Sequence, residues 1–181
     1  PLPGGEGGTD NYTFHMARAW ALPLVTTGAG LVGGLLTWKF APTTAGIGTN
    51  AAIRAFHKNE KVKFHISIFK LITSAITIGG GLTSGREGPI AQIGAATGAS
   101  IADRLKLTAR ERNIALAAGL GAGIAAIFKA PLAGAIIAAE IFYKEDFEVE
   151  ALVPGLVASV IGYTIVGVAT GFQPVFTPPE H

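Results

Sequence analysis

The chain has 181 residues, of which 49% are hydrophobic and only 14% carry a charge. Soluble domains have about 25% charged residues, so this chain lacks the polar surface that a water-soluble protein of its size needs. A net charge of only +2 disfavours a nucleic-acid-binding protein, the absence of cysteine excludes a disulfide scaffold, and the apolar content excludes a disordered chain. The remaining class is an integral membrane protein whose surroundings are a lipid bilayer.

The first predicted membrane helix covers residues 19–38, a stretch of 20 residues without a charge. At a rise of about 1.5 Å per residue it spans roughly 30 Å, the thickness of the hydrocarbon layer. Arg18 and Lys39 bracket the stretch, and Trp20 and Trp38 stand near its ends. Tryptophan rings favour the membrane interface, which supports a complete crossing.

Inside that span, Gly28, Gly30 and Gly33 match the GxGxxG pattern of a dinucleotide-binding loop after a strand-like Leu-Pro-Leu-Val-Thr-Thr run. Such a loop needs an acidic residue about 20 positions further on to hold the ribose. No Asp or Glu occurs between Asp10 and Glu60. A soluble dinucleotide-binding enzyme is therefore the weaker alternative.

Charged residues gather between the apolar stretches. Residues 39–70 contain six Lys or Arg and one acid, residues 103–112 contain four Lys or Arg and two acids, and residues 144–150 are acidic. The positive-inside rule places both basic segments in the cytoplasm. Residues 71–102 must then enter and leave the membrane on one side, as two short helices with a break at Gly85.

Small residues recur at a spacing that favours close helix packing. Glycines four residues apart let helix backbones approach each other in lipid, where the hydrophobic effect does not draw helices together. Three pairs have this spacing: Gly30 and Gly34, Gly94 and Gly98, and Gly119 and Gly123. We interpret them as packing positions without a further role.

The chain offers no set of residues for metal binding or nucleophilic catalysis. His15, His57, His65 and His181 lack the spacing of metal ligands. No Ser–His–Asp arrangement stands out, and cysteine chemistry is impossible without cysteine. The sequence therefore predicts no cofactor, no metal and no enzyme.

Residues 84–90, Ser-Gly-Arg-Glu-Gly-Pro-Ile, interrupt the longest apolar run. Gly85 and Gly88 permit unusual backbone geometry, and Pro89 is favoured as the first residue of a helix. The segment therefore predicts a break followed by a new helix. That helix turns free N–H groups and its positive end toward the break, a geometry that binds anions in membranes.

Glu87 is then an acid placed at its own anion site, where an unstabilised carboxylate costs several kcal/mol. When ionised, the carboxylate occupies the site; when protonated or swung aside, it leaves the site to a free anion. Such a group is both a gate and a proton acceptor. The alternative is that Glu87 only caps the helix and pairs with Arg86.

Residues 45–53, Ala-Gly-Ile-Gly-Thr-Asn-Ala-Ala-Ile, predict a second helix start on the cytoplasmic side of the first span. Glycine-rich backbone gives way to Thr49 and Asn50, which have capping chemistry, and then to an alanine-rich stretch. An ordinary N-cap without a further role is the alternative.

Two of these stretches resemble the CLC family of chloride channels and chloride/proton exchangers. Residues 85–89, Gly-Arg-Glu-Gly-Pro, match the family's GREGP signature, and residues 125–134, Ala-Ala-Ile-Phe-Lys-Ala-Pro-Leu-Ala-Gly, are similar to its AxFxAPLAG stretch. Glu140 follows at the family's spacing. The resemblance implies an all-α, polytopic membrane protein of broken, tilted helices. Residues 1–181 are expected to form the first half of a CLC-like inverted-repeat domain, with the second repeat absent.

The resemblance also implies the roles of the residues near the break. Glu87 is similar to the family's external gating glutamate, which accepts a proton. Gly85, Arg86, Gly88 and Ile90 lie at the start of the helix whose amides line the anion pathway.

A second family motif, Gly-Ser-Gly-Ile-Pro, corresponds to residues 46–50. Ile47 stands where the family's Ser offers a hydroxyl to the ion, and Asn50 stands where its Pro would be. The hydroxyl is lost unless Thr49 replaces it, but the amides around Gly48 remain. The resemblance therefore implies that Ile47, Gly48 and Thr49 contribute to anion binding.

Departures from the family pattern bear on the mechanism. Many exchangers carry Glu-Glu after the APLAG helix, and the second Glu delivers intracellular protons; here Glu140 is followed by Ile141. The resemblance thus implies transport of chloride or similar anions that is more like a voltage-gated channel than proton-coupled, with a CLC-type antiporter as the alternative. It also implies a homodimer in the plasma membrane. Because the second-repeat motifs do not occur, a non-conducting scaffold or partial protein is the alternative of another class.

Overall fold

A computed structural model describes residues 21–40, 42, 48–57, 64–83, 85–142 and 149–172. Seven helices lie within these ranges, and the described residues contain no strand. In chain order the helices are α1 (Ala21–Phe40), α2 (Gly48–His57), α3 (Phe64–Gly79), α4 (Glu87–Arg104), α5 (Ala109–Phe128), α6 (Pro131–Glu140) and α7 (Val149–Thr170). The prediction of an all-α fold is confirmed.

Three helices are long and apolar enough to cross a bilayer: α1 with 20 residues, α5 with 20 and α7 with 22. Large apolar side chains on the outer helices are exposed, among them Leu24 at 65% on α1 and Val168 at 76% on α7. Extended exposed apolar surface of this kind marks a face that contacts lipid or other protein. The chain is an integral membrane protein.

Helix α1 also decides against the dinucleotide-binding alternative. Residues 22–27, which could have formed the strand before the glycine pattern, are helical, and so are Gly28, Gly30 and Gly33. A phosphate-binding loop needs a strand, a tight turn and a new helix at this point. A continuous helix of 20 residues provides none of these.

The predicted interruption of residues 71–102 is present. Helix α3 ends at Gly79 and α4 begins at Glu87. The turn at the end of α3 uses Gly81, whose φ of +87° suits a residue without a side chain. Helix α3 begins earlier than predicted, at Phe64, so Lys70 lies inside a helix and not in a connecting segment.

A second interruption separates α5 from α6. Lys129 ends α5 in a left-handed conformation with φ of 54°, and its Nζ donates a hydrogen bond of 2.8 Å to the carbonyl oxygen of Gly171. Pro131 is the first residue of α6, where its missing N–H costs no helical hydrogen bond. Together these residues turn the chain between two apolar helices.

Close backbone contacts hold α4 against α5. A Cβ atom added at Gly94 would collide with the carbonyl oxygen of Gly119, and one added at Gly98 would collide with the carbonyl oxygen of Ala115. A Cβ at Gly123 would lie 2.9 Å from the carbonyl oxygen of Ile90. Two of the three predicted glycine pairs therefore act as packing positions.

Packing between α1 and α3 depends on a different glycine from the predicted pair. A Cβ at Gly33 would lie 2.5 Å from Cγ2 of Thr77, whereas a Cβ at Gly34 would meet nothing within 4 Å. A Cβ at Gly30 would make only an ordinary 3.6 Å contact with Leu82. The small-residue spacing thus predicts helix packing in general, but it does not select the face that packs.

The buried core lies where α2, α4 and α5 meet. It consists of alanines with a few larger side chains, and Ala99, Leu116 and Leu120 are fully enclosed. The rings of Phe56 on α2 and Phe142 after α6 stack with centroids 4.6 Å apart. This contact fixes the C-terminal end of the short helix α2, while Gly48 at its other end approaches the first turn of α4.

The connection from α4 to α5 is ordered by polar contacts. Arg112 is buried and its Nε donates a 2.7 Å hydrogen bond to a carboxylate oxygen of Asp103. Thr108 and Glu111 form a reciprocal capping box, in which the Thr108 N–H donates to the Glu111 carboxylate at 2.8 Å. Both contacts fix the start of α5.

We expect Gly98→Ala to destabilise the protein and Gly28→Ala to be harmless. The Cβ at position 98 meets backbone and forces α4 away from α5, at a cost of about 1–3 kcal/mol. A Cβ at Gly28 meets nothing within 4 Å, and alanine there improves helix propensity by up to about 1 kcal/mol. Thermal unfolding of both variants in detergent measures the difference. An equal midpoint for the two variants would contradict the packing described here.

Candidate functional site

Helices α2 and α4 begin at the same place in the molecule. A Cβ added at Gly48, the first residue of α2, would collide with the carbonyl oxygen of Gly88 and lie 3.0 Å from Cβ of Gln92. Such an approach is available only to a residue without a side chain. Two helix N-termini are therefore adjacent, each with a positive dipole end and with first-turn N–H groups that have no acceptor within their own helix.

The first turn of α4 presents few free amides. Arg86 is the N-cap residue, Pro89 has no N–H, and the N–H of Ile90 donates to the Arg86 carbonyl oxygen at 3.2 Å. The N–H groups of Glu87 and Gly88 therefore lack an intrahelical acceptor. The sequence placed Pro89 first in this helix, but it is the third helical residue.

These helix starts open onto a cavity of about 870 Å³. Four of the predicted site residues line it, and the opposite wall belongs to α1 and α3. The four are Gly48, Gly85, Glu87 and Gly88.

The other predicted site residues are placed as follows. Arg86, Ile90 and Thr49 are half-buried beside the cavity residues, and Thr49 follows Gly48 in the first turn of α2. Asn50, which shares the predicted capping chemistry, is also inside that turn. Ile47 lies outside the described residues.

The Glu87 carboxylate lies back over the break. A Cβ at Gly85 would be 2.5 Å from Oε2 of Glu87, so glycine at that position leaves room for the carboxylate. The N-cap of α4 has no side-chain hydrogen bond, and the Glu87 side chain is exposed. Within the described part of the chain, no ion pair holds Glu87, and this disfavours a purely capping role.

The α3 wall of the cavity carries polar residues that the sequence analysis did not single out. Lys70, Thr73, Ser74 and Thr77 all line it. Their positions follow the i, i+3, i+4, i+7 spacing of a single helix face. The sequence contains this spacing, but the charge pattern places Lys70 in a connecting segment and so does not predict a polar helix face there.

Glu140 and Ile141 are not among the described residues that line this cavity. Glu140 is exposed at the end of α6, and the Ile141 N–H closes the helix by donating to the Ile137 carbonyl oxygen at 2.9 Å. The Ile141 side chain packs against the core cluster that includes Phe142. An apolar contact therefore occupies the position at which the sequence resemblance places a second acid in exchangers.

Metal binding finds no support in the described ranges, where no three His, Asp or Glu side chains are grouped to hold an ion. Fold and site together define a polytopic membrane protein in which the first residues of two helices lie at one cavity.

Comparison with known proteins identifies the family. The voltage-gated chloride channel (CLC) family matches residues 29–181, and the chain belongs to this family. This family comprises membrane transport proteins and not enzymes.

Two relatives illustrate the relationship. An uncharacterised protein of Methanocaldococcus jannaschii is 34% identical over 133 residues, which cover 72% of this chain and 33% of the relative. The crystal structure of a slow cyanobacterial Cl⁻/H⁺ antiporter is similar with a TM-score of 0.76 and 27% identity, over 86% of this chain and 37% of the antiporter chain. The chain spans about a third of the length of each.

Alanine variants of Glu87 and Glu111 test whether Glu87 stabilises α4 as a cap. Glu111→Ala removes one half of the capping box and should lower the thermal midpoint by a few degrees. Glu87→Ala removes an exposed carboxylate without a cap hydrogen bond, so the midpoint should change by less than about 1 °C. Thermal unfolding at one pH measures both. A larger loss at Glu87 than at Glu111 would favour the capping role.

Proposed function

We propose that the chain forms the part of a membrane transporter that binds chloride or a similar small anion and controls its passage. The observation that carries the proposal is the convergence of the α2 and α4 N-termini on one cavity that Glu87 also lines. Helix N-termini supply unpaired N–H donors and a partial positive charge, which favour an anion. These donors line a cavity and do not face lipid, so an anion that enters it meets N–H groups without a helical acceptor.

Glu87 acts in this proposal as the gate and as a proton acceptor. Its carboxylate carries the same charge as the transported ion and lies at the break, so the two compete for the same donors. Protonation removes this competition and opens the position to the anion. Lys70 on α3 is the other charged residue among the described residues that line this cavity, and Arg86 directly precedes Glu87 in the chain.

We expect Glu87→Gln to keep the pathway open and to remove most of the pH dependence of anion flux. The amide has the shape of the protonated side chain but no charge, so it neither competes with the anion nor titrates. Flux of the full-length protein reconstituted in liposomes, measured between about pH 4 and pH 8, tests this. Glu140→Gln is the matched control, because Glu140 is exposed at the end of α6 and should leave the pH profile unchanged. An unaltered profile in Glu87→Gln would contradict the gating role.

The same measurement separates transport from the scaffold alternative. A folded, inserted, full-length protein that carries no anion flux at any pH would favour a non-conducting membrane scaffold. Flux that depends on Glu87 would favour the transporter.

Two observations bear on whether anion transport is coupled to proton transport, and they favour different answers. Ile141 packs against the core where many exchangers have their proton-delivering acid, which favours channel-like conduction. The similar solved structure is that of a Cl⁻/H⁺ antiporter, which favours exchange. We propose weak or absent coupling, because the half-buried apolar side chain of Ile141 cannot carry a proton from the cytoplasmic side.

The reversal potential distinguishes the two mechanisms. A channel-like protein reverses at the chloride equilibrium potential, whatever the pH difference across the membrane. We therefore expect a tenfold proton gradient at constant chloride to leave the reversal potential of the full-length protein unchanged. A shift that follows the proton gradient with a fixed stoichiometry would establish the antiporter instead. Glu87→Gln is the control, since a protein without a titrating gate cannot show this shift.

Assembly and location are further parts of the proposal. We propose that the chain is the first of two inverted repeats, that the complete protein is a homodimer with one pathway in each subunit, and that it resides in the plasma membrane. Its membership of the CLC family supports the repeat and the dimer, and the plasma membrane stays a prediction. The mass of the purified full-length protein in detergent, corrected for bound detergent, tests the dimer.

A further inference from the structure

The connection between α4 and α5 lies at one surface of the membrane. Helices α5 and α7 are both long enough to cross the bilayer, and both begin at this end of the molecule, because Arg110 Nη2 and Glu150 Oε2 lie 2.9 Å apart. The contact between Arg112 and Asp103 holds the last turn of α4 at the same end. Residues 105–108, which join α4 to α5, therefore lie where the hydrocarbon layer meets the lipid headgroups.

Apolar side chains face outward on both sides of this connection. Ile101 and Leu105 are separated by one helical turn and lie on one face of α4, where they are 50% and 65% exposed. Leu107 is 39% exposed just before α5 begins. At the start of a membrane span, such side chains are stable when lipid covers them.

Lys106 stands between the two leucines and follows the C-cap residue of α4. Its N–H donates to the Asp103 carbonyl oxygen at 3.3 Å, and the Leu107 N–H donates to that of Ala102 at 3.0 Å, which are the two hydrogen bonds of a Schellman motif. Lys106 has a φ of 55°, in the left-handed region where helix ends usually have glycine because a side chain is unfavourable there. The turn itself therefore does not require a lysine.

The Lys106 ammonium group has no acidic partner among the described residues, although acids lie nearby. Those acids bind other groups: Asp103 accepts from Arg112, Glu150 pairs with Arg110, and Glu111 accepts from Thr108. Lys106 is exposed and makes no ion pair within the described ranges. At a membrane surface, a lysine stem lies along apolar groups while its ammonium group reaches the headgroups.

We propose that Leu105, Lys106 and Leu107 form a binding site for an anionic membrane lipid. The leucines contact the acyl chains near the headgroup, and Lys106 donates a charge-assisted hydrogen bond to the phosphate. A free phosphate ion would leave both leucines in water, so the combination suits a lipid. None of the three residues lines the cavity described above, and the lipid site is therefore separate from the proposed anion pathway.

A fluorescent reporter beside the site tests this proposal. Ile101→Cys, in an otherwise cysteine-free full-length protein, carries a bimane group and leaves the three site residues intact. The protein is reconstituted in phosphatidylcholine liposomes that contain a small fraction of either phosphatidylglycerol or phosphatidylcholine with a nitroxide quencher. We expect the quenching to indicate a local concentration of labelled phosphatidylglycerol about fivefold that of labelled phosphatidylcholine, the effect of one lysine near an anionic headgroup.

Variants in the reporter protein separate the charge from the shape of the site. Lys106→Gln should remove most of the preference for phosphatidylglycerol, and Lys106→Arg should keep it. Lys39→Gln is the matched control, because Lys39 is an exposed cation at the end of another membrane helix and should not affect the reporter. If Lys106→Gln does not fold, the unmodified reporter decides: salt at about 1 M should abolish most of the preference by screening the charge.

Equal quenching by the two labelled lipids in the unmodified reporter would overturn the lipid site. A preference that survives both Lys106→Gln and high salt would also overturn it, because the positive charge would then not cause the preference. Quenching by aqueous iodide without quenching by either lipid would show that this face is in water. Protection from all three quenchers would show that protein covers it, and either result would refute the proposal.

Discussion

Every backbone N–H inside a bilayer must find a partner, because the hydrocarbon offers none. A continuous helix meets this requirement along its length, but a helix that starts within the membrane leaves its first donors exposed. This chain interrupts its apolar segments between Gly79 and Glu87 and again at Lys129 and Ala130. The first interruption directs donors into a cavity. At the second, the Lys129 side chain donates to a carbonyl oxygen and Pro131 has no N–H, so fewer backbone groups are left without a partner.

Close packing is what brings the two helix starts together. Helix α2 has only 10 residues, too few to be stable alone, so its position depends on tertiary contacts. The stacked rings of Phe56 and Phe142 hold one end of it, and the missing side chain of Gly48 lets the other end touch Gly88. A side chain at Gly48 would push the first turn of α2 away from the first turn of α4.

The sequence predicts what depends on local chemistry, and it fails where tertiary contact decides. The interruption around Gly85 follows from a charged pair, two glycines and a proline within an apolar run, and the structure confirms it. Counting charges does not predict the start of α3, because Lys70 is charged and yet belongs to the helix and lines the cavity. Likewise, glycine spacing gives no reason to choose Gly33 over Gly34 as the contact with α3, since the partner Thr77 is more than 40 residues away in the chain.

The departures from the CLC motifs fall on side chains, while the glycine backbone that we propose to bind the ion is retained. Ile47 and Ile141 replace polar residues of the family pattern, yet Gly48, Gly85 and Gly88 are present and line one cavity. An amide donor at a helix end does not depend on which side chain its residue carries. In this proposal a helix-end site therefore tolerates the loss of a hydroxyl, with a smaller loss of affinity than a site built from side chains would suffer. Delivery of protons has no such backbone substitute, because it needs a titrating group at a particular place, so replacing an acid by Ile141 affects coupling more than anion binding.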